Sequence, residues 1–289
     1  MNLPKFDYEA PSDLQEACEI KACYGDRAAL LAGGTDLLIT LQKGWLAPSR
    51  VVSLERLEEL KEMAGFSAGL TIGARITAAE LAESWLGTAE QVLSEAAAQV
   101  GSPLIRNRAT IGGNLVSAMP AADLAPPLLA LQAAVVLNRV GSERVVDLED
   151  FFVAPGEQVM QPDEIMSEIF IPNLPEGSGG AFEKLGVRKA LERSIVSVAA
   201  VVSLDGDGKT IAGARIALGA VAPTPMLAGE AADSLIGKKA TAKNFAAAAK
   251  IAAGEARPRG LRTSAEYSRL MVETLTKRAL QRAFAAATA

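Results

Sequence analysis

Two glycine doublets constrain this chain more than any other feature. They stand in the segments Gly33-Gly34-Thr35-Asp36 and Thr110-Ile111-Gly112-Gly113-Asn114. Adjacent glycines let backbone approach a ligand closely, because no Cβ intervenes. Thr and Asn beside them supply hydroxyl and amide groups, and the exposed N–H groups of such a turn form an anion-binding concavity. One doublet alone reads as a tight turn. Two doublets of similar chemistry read as two walls of one diphosphate site. Neither has a third glycine at the offset of the Gly-x-Gly-x-x-Gly fingerprint, so a Rossmann site is not expected.

The elements around the doublets can be read in order. Pro11 to Ala22 reads as a helix with Ser12 as N-cap, Gln15 three residues on, and Leu14, Ala17, Cys18 and Ala22 on its apolar face. Arg27 to Ala32 reads as a buried strand, and Asp36 opens a helix to about Lys43. The first doublet thus falls at a strand-to-helix turn, where helix N–H groups favour an anion. Arg50 to Leu54 reads as another strand, and Gly65 to Thr77 as strands and turns. Thr77 and Glu80 have capping-box spacing, and Gln91 to Val100 has helical spacing. Ser102 to Arg108 reads as a polar, basic loop leading into the second doublet, with Arg106 and Arg108 either offsetting diphosphate charge or solvated. Asp123 caps a helix to about Gln132, followed by a strand pair over Ala134 to Val146 and a strand from Asp163 to Pro172.

Pro172 to Gly180 is the clearest linker signal. Beyond it, Ala181 to Val187, Ser194 to Leu204 and Thr210 to Val221 read as strands, the last two joined by Asp205-Gly206-Asp207-Gly208. Helices follow over Ala242 to Gly254 and Ser264 to about Ala285. Strands followed by helices indicate an α+β unit.

Composition excludes several classes of function. The net charge of −5 argues against a nucleic-acid partner. No apolar run reaches the roughly 18 residues of a membrane span. The first residues have no apolar stretch of a secretory signal, which gives a cytoplasmic expectation. Histidine is absent, which removes Ser-His-Asp and Cys-His catalysis and His-ligated metals. The two cysteines, Cys18 and Cys23, are too few for an iron–sulfur cluster and read as small apolar helix residues. An enzyme of this composition needs a bound organic cofactor for its chemistry. Among the 289 residues, 49% are hydrophobic, enough for about two domains with a sizeable core.

Leu31-Ala32-Gly33-Gly34-Thr35-Asp36-Leu37-Leu38 and Thr110-Ile111-Gly112-Gly113-Asn114, with Asp123 following, resemble the two FAD-binding signatures of molybdenum-hydroxylase flavoproteins. These are the medium subunits of aerobic carbon monoxide dehydrogenases and the FAD domain of xanthine dehydrogenase. Glu183 to Arg188 resembles the family's lysine segment, and Ser264 to Tyr267 with Leu270 and Arg278-Ala279-Leu280 its closing helix. The resemblance spans nearly the whole chain.

The resemblance implies an α+β fold. Residues 1–175 would form an FAD-binding domain of the vanillyl-alcohol-oxidase/p-cresol-methylhydroxylase type, in subdomains of about 1–55 and 56–175. Residues 176–289 would form a C-terminal α+β domain with a three-stranded antiparallel sheet and helices. It further implies that Leu31 to Leu37 and Thr110 to Asn114 hold the FAD diphosphate and ribityl chain. Asp123 would accept hydrogen bonds from polar cofactor groups, Met166 would make a contact near the adenine, and Lys184 would lie near the isoalloxazine. There Lys184 would stabilise negative charge on the reduced cofactor; the alternative from the residues alone is an exposed surface lysine of a strand.

The implied function is an FAD-binding electron-transfer subunit of a molybdenum hydroxylase. Its partners would be a large molybdenum-cofactor subunit and a small subunit with two [2Fe–2S] clusters, as a dimer of heterotrimers. Electrons would leave to NAD⁺, a quinone or O₂. The sequence departs from some relatives at Leu191 to Ile195, where no aromatic residue is present to cover the flavin. It also lacks the cysteine-bearing insert of hydroxybenzoyl-CoA reductases. The alternatives are a nucleotide-binding assembly module that has lost flavin redox function, and a stand-alone oxidase, which the lack of a His tether disfavours.

Overall fold

The structure, a computed structural model, describes residues 3–84, 86–188, 191–260 and 262–289. A small parallel sheet opens the chain, in the order β1 (Asp7–Glu9), β3 (Arg50–Ser53), β2 (Ala28–Leu31). Parallel strands need crossovers: α1 (Leu14–Tyr24) carries the chain from β1 to β2, and the helix after β2 returns it to the neighbouring β3. The N-cap of α1 is Asp13, whose carboxylate accepts the Glu16 N–H at 2.8 Å. Ser12, the expected cap, instead donates its hydroxyl to the Glu16 carboxylate. Asp13 has the extended backbone an N-cap adopts, at φ −150° and ψ 170°. Lys21 is unexpectedly buried, its Nζ donating to the carbonyls of Gly25 and Ala28, which ties the helix end to β2. α2 (Leu37–Gln42) follows the first doublet.

The second sheet is antiparallel, in the order β4 (Met63–Phe66), β5 (Gly69–Gly73), β10 (Ile165–Pro172), β6 (Ala134–Arg139), β7 (Ser142–Asp147). Between β5 and β6 run α3 (Ala78–Glu83), α4 (Gln91–Ala97), α5 (Pro103–Arg106), α6 (Ile111–Val116) and α7 (Ala125–Ala130). After β7 come α8 (Leu148–Phe151) and a hairpin of β8 (Phe152–Ala154) and β9 (Glu157–Gln158). The Thr77–Glu80 capping box starts α3 as its spacing predicts. α5 is a single turn in the stretch that reads as a loop; Ser102 caps it and Pro103 presets its first residue. Leu93, Ile111, Leu115, Leu128, Phe151 and Ile169 fill the core of this half.

The third sheet runs β11 (Ser178–Leu185), β12 (Val196–Leu204), β13 (Ile211–Gly219), β14 (Met226–Leu227), all antiparallel. Sequence predicts three strands; the fourth pairs only two residues, with Ala217 and Leu218, and is too short to carry a period. α9 (Gly229–Asp233), α10 (Ala242–Glu255) and α11 (Ala265–Ala287) complete the chain. Every residue of β12 is buried. Val198 and Val202 pack with Phe245, Leu275 and Leu280 of α10 and α11, while Ala199 and Val201 join the core of the second sheet. Alternate side chains point to opposite faces, so this strand lies between two apolar layers. The linker signal is shorter than expected, because Gly179 and Gly180 belong to β11. A Cβ on either would run into backbone, of α11 at Gly179 and of Ala89 at Gly180.

Candidate functional site

The first doublet forms the turn between β2 and α2. Gly34 has φ +75°, a conformation that glycine adopts without strain. Gly33 lies so close to the Arg108 carbonyl that any Cβ would collide with it. The two glycine segments are therefore neighbours in space. Among the described residues, the N–H groups of Gly33, Gly34, Thr35 and Asp36 find no protein acceptor. Asp36 precedes α2 but makes no side-chain capping bond. This turn thus presents donors with nothing to donate to, which matches a diphosphate.

The second doublet is built differently from the expected turn. Gly112 and Gly113 lie in the first turn of α6, and Thr110 is its N-cap, accepting the Gly113 N–H at 3.1 Å. The Ile111 and Gly112 N–H groups donate to Ile76 and Ala74 carbonyls at 2.9 Å, and that of Asn114 to Thr110. No open N–H cradle remains here, which corrects the reading of a second backbone anion pocket. Gly112 serves packing, because a Cβ there would lie 2.7 Å from Ala74 Cβ. Ile111 sends its side chain into the core. What this segment offers a ligand is the exposed Gly113 surface and the Asn114 amide. Asn114 Oδ1 accepts the Leu124 N–H at 3.2 Å, while its amide nitrogen has no protein acceptor among the described residues.

Two cavities flank the paired segments. A cleft of about 370 Å³ is lined by Asp36, Asn114, Ser117 and Ser194 and by Arg193, Arg259 and Arg262, among others. A smaller cavity of about 150 Å³ is lined by Ala32, Gly33, Thr110 and the cations Lys61, Arg75 and Arg108. Burial holds the Arg75 guanidinium below its usual value despite nearby glutamates. Ala220, which lines the cleft, has φ +65°, and Ala118, between the lining residues Ser117 and Met119, has φ +46°. Such backbone strain persists where surrounding structure over-determines it, commonly at ligand sites.

Asp123 and Lys184 meet each other rather than solvent. Lys184 Nζ lies 2.6 Å from Asp123 Oδ2, both side chains are 7% exposed, and Nζ also donates to the Gln99 carbonyl at 2.9 Å. Ser194 Oγ donates to Asp123 Oδ1 at 2.5 Å and lines the cleft. Burial pushes the Asp123 carboxyl up, and Lys184 and Ser194 pull it back. The reading of Lys184 as a solvated lysine fails. The expectation of Asp123 as a helix cap fails as well: α7 starts after Leu124 and has no side-chain cap bond, because the carboxylate is engaged with β11 and Ser194. Met166 stands apart. Its side chain is 4% exposed in the core and lines neither cavity, which leaves only its backbone for a ligand.

Family models match the chain along most of its length. Residues 4–174 match the FAD binding domain in molybdopterin dehydrogenase, and residues 181–283 the CO dehydrogenase flavoprotein C-terminal domain. The chain belongs to the FAD-binding subunits of the molybdopterin dehydrogenases. FAD is the cofactor of this family, and its members are oxidoreductase components. The medium chain of carbon monoxide dehydrogenase from Hydrogenophaga pseudoflava is 33% identical over 284 residues, covering 98% of each chain. The nicotinate dehydrogenase FAD-subunit of Eubacterium barkeri is 34% identical, covering 85% of this chain and 84% of that one. Among solved structures, carbon monoxide dehydrogenase from H. pseudoflava superposes with TM-score 0.93 at 32% identity over 99% of both chains. Quinoline 2-oxidoreductase from Pseudomonas putida 86 does so with TM-score 0.92 at 28% identity over 100% of both.

The residues present fit a flavin dinucleotide of this FAD-binding family. The open donors of residues 33–36 and the exposed Gly113 surface facing them let a diphosphate approach backbone closely. Among the described residues no cluster of metal-ligating side chains occurs, and no helix is long and apolar enough to cross a membrane. Sequence reasoning missed Ser194, Ser117 and the cations Lys61 and Arg75, which come to the cavities from separate elements and carry no local signal.

Proposed function

We propose that residues 32–36 hold the FAD diphosphate on the open N–H groups of Gly33 to Asp36, with Leu31 and Leu37 flanking the turn. Gly113 and the Asn114 amide form the facing wall, with Thr110 and Gly112 fixing α6 in place behind it. Lys61, Arg75 and Arg108 offset diphosphate charge from the smaller cavity. The observation that carries this reading is the turn with open donors, set directly against the second glycine segment. Asp123 and Lys184 act as a positioning pair that fixes the cleft wall through Ser194 and Gln99. Residues 1–175 supply the cofactor cradle, and residues 176–289 close the cleft.

Bound there, FAD would supply the redox chemistry that collects electrons from one-electron centres and passes them to an external acceptor. The chain serves as the electron-transfer member of a molybdenum hydroxylase, between the [2Fe–2S] clusters of a small subunit and an external acceptor. A large molybdenum subunit carries the substrate, so this chain does not bind it. The assembly is a cytoplasmic dimer of heterotrimers. The test is anaerobic mixing of the FAD-loaded chain with its reduced iron–sulfur partner, followed by visible absorbance. Bleaching of the flavin bands is expected; bands unchanged by the reduced partner contradict the assignment.

A further inference from the structure

Among the described residues β11 pairs only with β12, which makes it an edge strand of the third sheet. A free strand edge presents unpaired N–H and C=O groups. Here two side chains close that edge in place of a strand. The Glu95 carboxylate of α4 accepts the Phe182 N–H at 2.9 Å. The Arg282 guanidinium of α11 donates to the Phe182 carbonyl at 2.8 Å and to the Glu183 carboxylate at 2.9 Å. Its other terminal nitrogen meets Glu95 Oε1 at 2.5 Å. The planar fork of arginine serves several acceptors at fixed angles, which a lysine ammonium does not reproduce. The pair thereby ties a helix of the first half to the last helix of the chain, across β11.

This clasp sits one step from the cleft wall, because alternate residues of β11 share a face. Gly180 lies against the Ala89 carbonyl and Val92. Phe182 joins the core of the second sheet and meets Glu95 through its backbone. Lys184 reaches the Gln99 carbonyl, just past α4, and Asp123. Strand positions 180, 182 and 184 thus match positions 92, 95 and 99, since two strand residues advance about 6.7 Å and one helical turn about 5.4 Å. Asp123 in turn receives Ser194, which lines the cleft. We propose that Glu95 and Arg282 are positioning residues for the flavin site. They fix β11 against α4, and so set where Lys184 places Asp123 and Ser194 in the cleft wall. The inference rests on the FAD reading of that cleft. Neither Glu95 nor Arg282 lines either cavity, so their effect on the cofactor passes through β11.

The test is a double-mutant cycle on FAD affinity, measured by titrating the full chain with FAD. Arg282→Gln is made in wild type and in the Lys184→Met/Asp123→Asn chain, where the link from β11 to the cleft wall is already cut and no buried charge is stranded. In wild type it should weaken FAD about threefold to tenfold, the size of coupling carried through packed neighbours. In the second background the same substitution should change affinity by less than about twofold, the limit of additivity for independent sites. Glu95→Gln still accepts the Phe182 N–H and should fall between Arg282→Gln and wild type. It replaces Arg282→Gln in the cycle if that variant does not fold. An FAD affinity in Arg282→Gln equal to wild type overturns the proposal. An equal loss in both backgrounds also overturns it, because the clasp then supports the fold in general and not the cleft wall. Wild type is titrated first. A wild-type chain that takes up no FAD contradicts the cofactor reading itself, whereas one that binds FAD and ignores Arg282→Gln contradicts the positioning role alone.

Discussion

Removing Lys184 should expose how much the buried pair contributes. In Lys184→Met the Asp123 carboxylate stays buried and keeps Ser194 Oγ as its donor. Breaking one partner of a buried pair costs about 3–5 kcal/mol, because the other charge is left uncompensated. At roughly 2–4 °C per kcal/mol for a chain of this size, the melting temperature should fall by roughly 6–20 °C at neutral pH. The deficit should depend on pH in a fixed sense. Burial already raises the Asp123 carboxyl above its ordinary 3.8, and losing Lys184 raises it further. A carboxyl with a raised folded value loses stability as pH rises through that value, and is relieved once protonated. The variant should therefore approach wild type as pH falls toward the unfolded value of about 4. The double variant Lys184→Met/Asp123→Asn should recover most of the loss at neutral pH, because an uncharged pair has no stranded charge. Thermal melts of the three proteins at pH 7.5 and pH 5 read all of this. A loss below about 1 kcal/mol, the size of an exposed pair, refutes the reasoning, as does a loss that ignores pH.

Other outcomes follow from single features. Gly33→Ala forces a Cβ against the Arg108 carbonyl; a fluorescence titration should show FAD affinity at least about tenfold weaker, with a stability loss of roughly 1–3 kcal/mol from overpacking. Burial pushes the Cys18 thiol up to about 11, while Cys23 is exposed. Alkylation of the native protein at pH 8, mapped by mass spectrometry, should modify Cys23 alone, and unfolding should add Cys18. Burial pushes the Glu164 carboxyl up, but Arg144 and the Gln161 N–H outweigh it and hold the group below 4.5. A depressed carboxyl contributes stability above its unfolded value that is lost as pH falls, so Glu164→Gln should melt lower at pH 7 and show a flatter acid limb.

What sequence could show was local. The Thr77–Glu80 box, the β6–β7 hairpin around Gly141 and the apolar run of β12 all lie within short windows, and the structure has each of them. The first doublet was legible too, because a strand, a glycine pair and a helix follow in succession. The second was misread because glycine disfavours helix and marks a turn by default. Here the close approach of α6 to Ala74 overrides that propensity, and only the tertiary contact shows it. Asp123 looks like a helix cap until Lys184 arrives from another sheet, far along the chain. Ala118 and Ala220 carry positive φ without any glycine to announce it. The cleft's arginines, Arg193, Arg259 and Arg262, come from separate loops, so no spacing could have revealed their meeting.

The central claim is that the donors of residues 33–36 form a flavin site. Its most direct test is equilibrium binding of FAD to the purified full chain, read by visible absorbance after removal of free cofactor. Equimolar bound FAD in the wild type, with markedly less in folded Gly33→Ala, is the predicted result. A folded wild-type chain that retains no FAD, or a Gly33→Ala chain that binds it as tightly as wild type, contradicts the claim.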